Sequence, residues 1–269
     1  MHADSIAILR ARSWLLGLVL AALSILALAA SQHATADTAS GGPLSLLISY
    51  RNAPADRPSF RTYLQNEGRT QLAKLQREGV IKNFQVLFNP VANSGTWDAM
   101  TVINFARYTD TQRWLTVEQT MPGGLTAAGL KLVQSIDTYS ADLNWSASAE
   151  NPAKESDAIY YVIPYEFGSA DEYEKYVEGY VLPQVQGWMR EGVLSGYRIF
   201  MNRYPVGRPW DALFIYEYRD LDGFGKRADT VSKVRQTLEN DPVWKQYHAI
   251  KHTLRSETEN TIAVSLGQH

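Results

Sequence analysis

The 269-residue chain contains no cysteine. Disulfides, thiolate metal sites and cysteine nucleophiles are therefore excluded, and the fold must be held by its core. Histidine is scarce: after residue 36 only His248, His252 and His269 occur. There is no run of lysine and arginine and no basic stripe interleaved with aromatics, which excludes nucleic acid as a partner. A phosphate loop, a dinucleotide fingerprint and a G-x-S-x-G elbow are also missing. The stretch DGFGKR (222–227) has too few glycines and follows no strand-to-helix turn.

A long apolar run is found in one place only, Trp14 to Ala30. Arg10 and Arg12 precede it, and Ala34-Thr35-Ala36 follows as a small-residue site. This is the layout of a secretory signal peptide, residues 1–36, cleaved after Ala36. The expected location is periplasmic or secreted, with no membrane attachment once the leader is gone. What remains carries 24 basic against 27 acidic residues. Residues 37–43 read as a flexible N-terminus.

Two phrases occur twice. REGV stands at 77–80 and 190–193, and WDA at 97–99 and 210–212, both 113 positions apart. Aligned without gaps, 69–107 and 182–220 share nine identities, including Asn89/Asn202, Trp97/Trp210 and Asp98/Asp211. That period is too long for a solenoid, so each copy reads as a small domain. In the second copy AIYYVIPYEF is strand-like, and apolar residues at helical spacing fill Ser169 to Glu191. Gly192 is placed to stop that helix. Two further strands, a broken helical stretch and NTIAVSL follow. The first copy runs in parallel and ends in ADLNWSAS.

The order β-α-β-β-α-β is the ferredoxin-like one, whose sheet keeps one face bare. The expected fold class is therefore α+β: two ferredoxin-like βαββαβ repeats (44–149 and 158–268, linker 150–157) whose antiparallel sheets pack face to face as an intramolecular α/β barrel. The helix–REGV–strand–N…WDA–strand pattern resembles the dimeric α/β barrel superfamily in its fused form. That resemblance implies cofactor-free monooxygenases, polyketide cyclases, haem enzymes of the chlorite dismutase and dye-peroxidase type, or exported proteins of no assigned role.

Tyrosine is concentrated in the second copy, with eleven of fifteen. Buried phenols seek hydrogen-bond partners, and several on one sheet would give an apolar pocket with polar tips. The expected lining is Tyr165, Arg198, Asn202, Tyr216 and Tyr218, with Arg198 anchoring an anion or carbonyl. Glu166 and Glu217 are further charges in apolar strands. Trp97-Asp98 and Trp210-Asp211 read as packing and turn residues. No cofactor is expected. His248 and His252, four apart on one helical face, form a weak alternative metal or haem site. The leading function is an exported barrel binding a small aromatic or lipophilic molecule, monooxygenase- or cyclase-like if it turns the molecule over. A non-catalytic interaction barrel and a haem protein are the alternatives, and a homodimer stays open.

Overall fold

A computed structural model describes residues 44–267. The expected leader, its cleavage site and residues 37–43 lie outside them. Among the described residues no helix is long and apolar enough to cross a membrane.

Strand β1 (Leu44–Arg51) leads into helix α1, which runs through Arg57–Tyr63, a π turn at Leu64–Gly68, and Arg69–Arg77. Then come β2 (Asn83–Phe88), β3 (Ala99–Asn104), α2 (Thr111–Thr120), α3 (Ala127–Leu130) and β4 (Ser135–Ser148). The remainder is β5 (Ile159–Phe167); α4, in the segments Ala170–Tyr176, a π turn Val177–Val181 and Leu182–Arg190; β6 (Leu194–Asn202); β7 (Ala212–Tyr218); α5 (Leu221–Gly225); α6 (Arg227–Leu238); α7 (Pro242–Leu254); β8 (Arg255–Glu257); and β9 (Thr261–Ser265).

The repeated REGV phrase ends α1 and α4 in the same way. Gly79 and Gly192 take φ of 67° and 78°, the left-handed region glycine tolerates. Gly79 N–H bonds Gln76 O at 3.0 Å and Val80 N–H bonds Leu75 O at 2.9 Å; Gly192 to Met189 O (3.0 Å) and Val193 to Trp188 O (3.3 Å) repeat the pair. This double bond is the Schellman stop, which satisfies carbonyls the last turn would otherwise orphan. The two π turns also stand 113 positions apart.

The strands form one antiparallel sheet in the order β7-β6-β4-β1-β3-β2-β9-β5, closed by β5 pairing back to β7. β8 is a short addition on β5. The result is a mixed α+β fold with a closed eight-stranded barrel. This corrects the expectation of two separate sheets facing each other. The cause is β4, which begins at Ser135 and not near Ala141. Its 14 residues reach from β1 on one side to β6 on the other. A second, shorter seam pairs Leu87 with Ser265 and Phe88 with Val264. Closure leaves no exposed edge, which a pair of open sheets would have.

Strands β1, β3 and β7 are packed on both faces, so in them the usual apolar–polar alternation is lost. β1, LSLLISYR, is buried at every position but the last. Its Leu46, Ile48 and Tyr50 meet α1 and α2 in one core. Leu47 joins Met100, Val102, Phe200, Leu213 and Ile215 in the barrel lumen. A third core, rich in tyrosine, lies between β5–β7 and the helices α4, α6 and α7.

Candidate functional site

The duplicated Asn…Trp-Asp phrase builds two matching clips at one end of the barrel. Asn89, directly after β2, donates its side-chain amide to Trp97 O (3.2 Å) and accepts Val91 N–H (2.9 Å). Asn202, closing β6, donates to Trp210 O (3.1 Å) and accepts Tyr204 N–H (3.1 Å). Each Asp then straps the loop to the neighbouring strand: Asp98 Oδ2 accepts Asn52 N–H at 2.6 Å, and Asp211 Oδ2 accepts Phe167 N–H at 2.9 Å. The Asp98 clip has an additional ion pair with Arg57.

Both indoles thereby line a single cavity of about 350 Å³ at the barrel mouth. Met100 and Leu213 of the lumen core line it, with the ring of Tyr139, which sits 5.3 Å from that of Trp210. Its polar lining includes Arg51, Asp137, Glu166 and Glu259. The Arg51 guanidinium donates to Ser94 O (2.8 Å) and Gly95 O (3.3 Å), and Glu259 accepts from Asn93 Nδ2. Burial first, then the Asp137 carboxylate, pushes the Tyr139 phenol up, opposed by Arg208 and Arg51. Residues 113 positions apart meet here, Trp97 with Trp210 and Met100 with Leu213, and Arg51 and Glu166 line the same cavity.

The five residues expected to line a pocket are divided between the two faces of the sheet. Arg198 pairs across from Ile215 and faces the lumen. Its Nη2 donates to Gln85 Oε1. Burial lowers its pKa, opposed by Tyr160 and Glu217. Asn202 shares this parity and serves as the Trp210 clip. Tyr165, Tyr216 and Tyr218 point the other way, into the core under the helices. Tyr216 packs edge-on against Trp188 at 5.6 Å, and Tyr165 lies under the Arg255 guanidinium at 4.6 Å. Burial raises the pKa of all three phenols. They do not converge with Arg198, because strand alternation puts them on opposite sides of the sheet.

The alternative at His248 and His252 also resolves geometrically. His248 stacks on Trp244 at 4.7 Å, and its Nδ1 lies 3.2 Å from Tyr180 Oη and 3.4 Å from Lys251 Nζ. Burial, then Lys251, Arg235 and His252, lower its pKa. His252 is exposed. Among the described residues no group of three or more metal-ligating side chains is assembled. A groove of about 640 Å³ beside His248 is lined by Arg235, Glu239 and Lys245 as well as by Ala228, Val231 and Trp244, and it offers no second histidine. The core beneath is filled by stacked Tyr176, Tyr180 and Trp244. These residues do not fit a haem.

The closed antiparallel barrel with flanking helices is a fold shared with solved structures of other proteins. Solved structures with this fold include a candidate monooxygenase from Lactobacillus acidophilus NCFM, which aligns over 84% of this chain and 95% of its own with a TM-score of 0.52 at 13% identity. An anthrone oxidase-like protein aligns over 85% and 95%, TM-score 0.53, at 9% identity. A chlorite dismutase from Candidatus Nitrospira defluvii aligns over 84% and 91%, TM-score 0.50, at 12% identity. At these identities the likeness is one of fold. No family model matches the chain, and no curated protein matches it.

Proposed function

We propose that this chain is an exported small-molecule-binding barrel whose ligand occupies the cavity at the barrel mouth. The observation that carries the reading is the convergence of Trp97 and Trp210, held by identical clips, on one cavity of about 350 Å³. That volume lies within the range of small-molecule sites, and aromatic walls with a few polar groups are their usual lining. Duplication of an ancestral half-barrel would account for the matched clips, π turns and helix stops, and it would set one indole from each copy at the shared mouth. Should the bound molecule be turned over, Glu166 and Asp137 are the groups placed to take a proton from it.

Tryptophan fluorescence during titration with small aromatic compounds tests the site. Trp97→Ala, at a half-buried indole, should weaken a hit by about tenfold, equivalent to about 1.4 kcal/mol. Tyr216→Phe, on the helix-facing side of the sheet, should leave affinity unchanged. Equal binding by the Trp97 variant, or loss of binding in the Tyr216 variant, would place the ligand elsewhere.

A further inference from the structure

We infer that the cavity at the barrel mouth takes an organic cation: an ammonium or guanidinium head carried on a short aromatic or alkyl body. This rests on the reading of that cavity as the ligand site.

Three π systems line the cavity, Trp97, Trp210 and Tyr139, and a cation over such faces is held by the ring quadrupole. Tyr139 already accepts one from the protein itself, since the Arg208 guanidinium carbon lies 5.8 Å from its ring centroid. The charge of the lining points the same way. Three carboxylates, Asp137, Glu166 and Glu259, line it with one cation, Arg51, while Arg208 lies over the Tyr139 ring. The donors of Arg51 are turned to the backbone carbonyls of Ser94 and Gly95. Glu259 is bonded by Asn93. The Asp137 and Glu166 side chains pair with no cation among the described residues. They are the two acceptors left for a ligand. Arg51 follows Tyr50, whose carbonyl accepts Asp98 N–H, just as Glu166 follows Tyr165, whose carbonyl accepts Asp211 N–H, so opposite charges stand at equivalent places. An anionic ligand would meet these two exposed, unpaired carboxylates at the mouth. A neutral one would leave their field unused.

Calorimetric titration at neutral pH with three probes of one shape, phenethylammonium, phenethyl alcohol and phenylacetate, separates the cases. Phenethylammonium should bind about tenfold tighter than the alcohol, the size of a cation–π contact reinforced by a carboxylate, and phenylacetate should bind weakest. Added salt should narrow the gap. Asp137→Asn with Glu166→Gln should bring the cation to within about threefold of the alcohol, and a preference for the cation that stays about tenfold in this variant would overturn the role of the two carboxylates. Equal binding of all three probes, or tightest binding of phenylacetate, would overturn the cation assignment while the cavity remained a binding site. Failure of all three to bind would remove the cavity reading and this inference with it.

Discussion

Asp98 and Asp211 occupy matching places but should not be equally costly to remove. Asp98 is 6% exposed; it accepts Asn52 N–H at 2.6 Å and forms an ion pair with Arg57, whose side chain is 11% exposed. Arg57 also donates to Asn89 O at 2.8 Å and lies over the Phe88 ring at 5.3 Å, so its head is held in place when the carboxylate goes. Asp98→Ala strands that guanidinium and orphans a buried N–H. Breaking a buried pair in this way costs about 3–5 kcal/mol. Asp211 is half-buried and accepts a single backbone N–H from Phe167 at 2.9 Å, with no cation paired to it among the described residues. Asp211→Ala should cost about 1.5 kcal/mol, the low end for a hydrogen bond to a charged group. Urea unfolding of the two variants, with matched m-values, reads the gap of about 2 kcal/mol directly. A double-mutant cycle with Arg57→Ala should return a coupling above about 1 kcal/mol. If Asp98→Ala costs no more than Asp211→Ala, or the coupling falls below about 0.5 kcal/mol, the ion pair is not what distinguishes the two clips.

Two further outcomes follow from the second half. Gly187 in α4 faces Val234 of α6 so closely that an added methyl would lie 3.0 Å from Cγ2 and closer still to Cγ1. Gly187→Ala should therefore destabilise by about 1–3 kcal/mol despite its better helix propensity, and Val234→Ala in the same chain should recover part of that loss in a thermal melt. His248 has its pKa lowered in the folded chain, so the folded state binds its proton less readily than the unfolded one. The stability it contributes is fully present above about pH 6.5 and is lost as pH falls toward the depressed folded value. Denaturation midpoints at pH 7.5 and pH 5.5 should differ less in His248→Gln than in the parent; an unchanged difference would show that other groups set the pH response.

The helix stops were legible because a left-handed glycine after an apolar-periodic run has few alternatives. The same holds for the strands around Trp97 and Trp210, where β-branched and aromatic residues cluster. The closure of the sheet was not legible. It depends on β4 extending back to Ser135, and SIDTYS mixes polar and apolar residues without a clear period. The pairing of β4 with β6 is a contact between distant segments that no local pattern encodes.

Side-chain direction was the second thing the sequence concealed, and it decided where the candidate site lies. In a strand with one wet face, polarity marks the outside. Here one face meets helices and the other fills a lumen, so both parities are apolar and a tyrosine can belong to either. Tyr165, Tyr216 and Tyr218 went to the helix side, where they fill volume against α4. Arg198 and Asn202 went to the lumen. The signal that did mark the mouth was the repeated Trp-Asp. It reads locally as packing and a turn, and locally that reading is right, since Asn89, Asn202, Asp98 and Asp211 spend their hydrogen bonds on the loops. The cavity appears only when the two loops are brought to the same end of one closed barrel. A residue pair that is structural in each loop becomes the wall of a cavity between them, which is why the phrase had to be read together with the closure of the sheet.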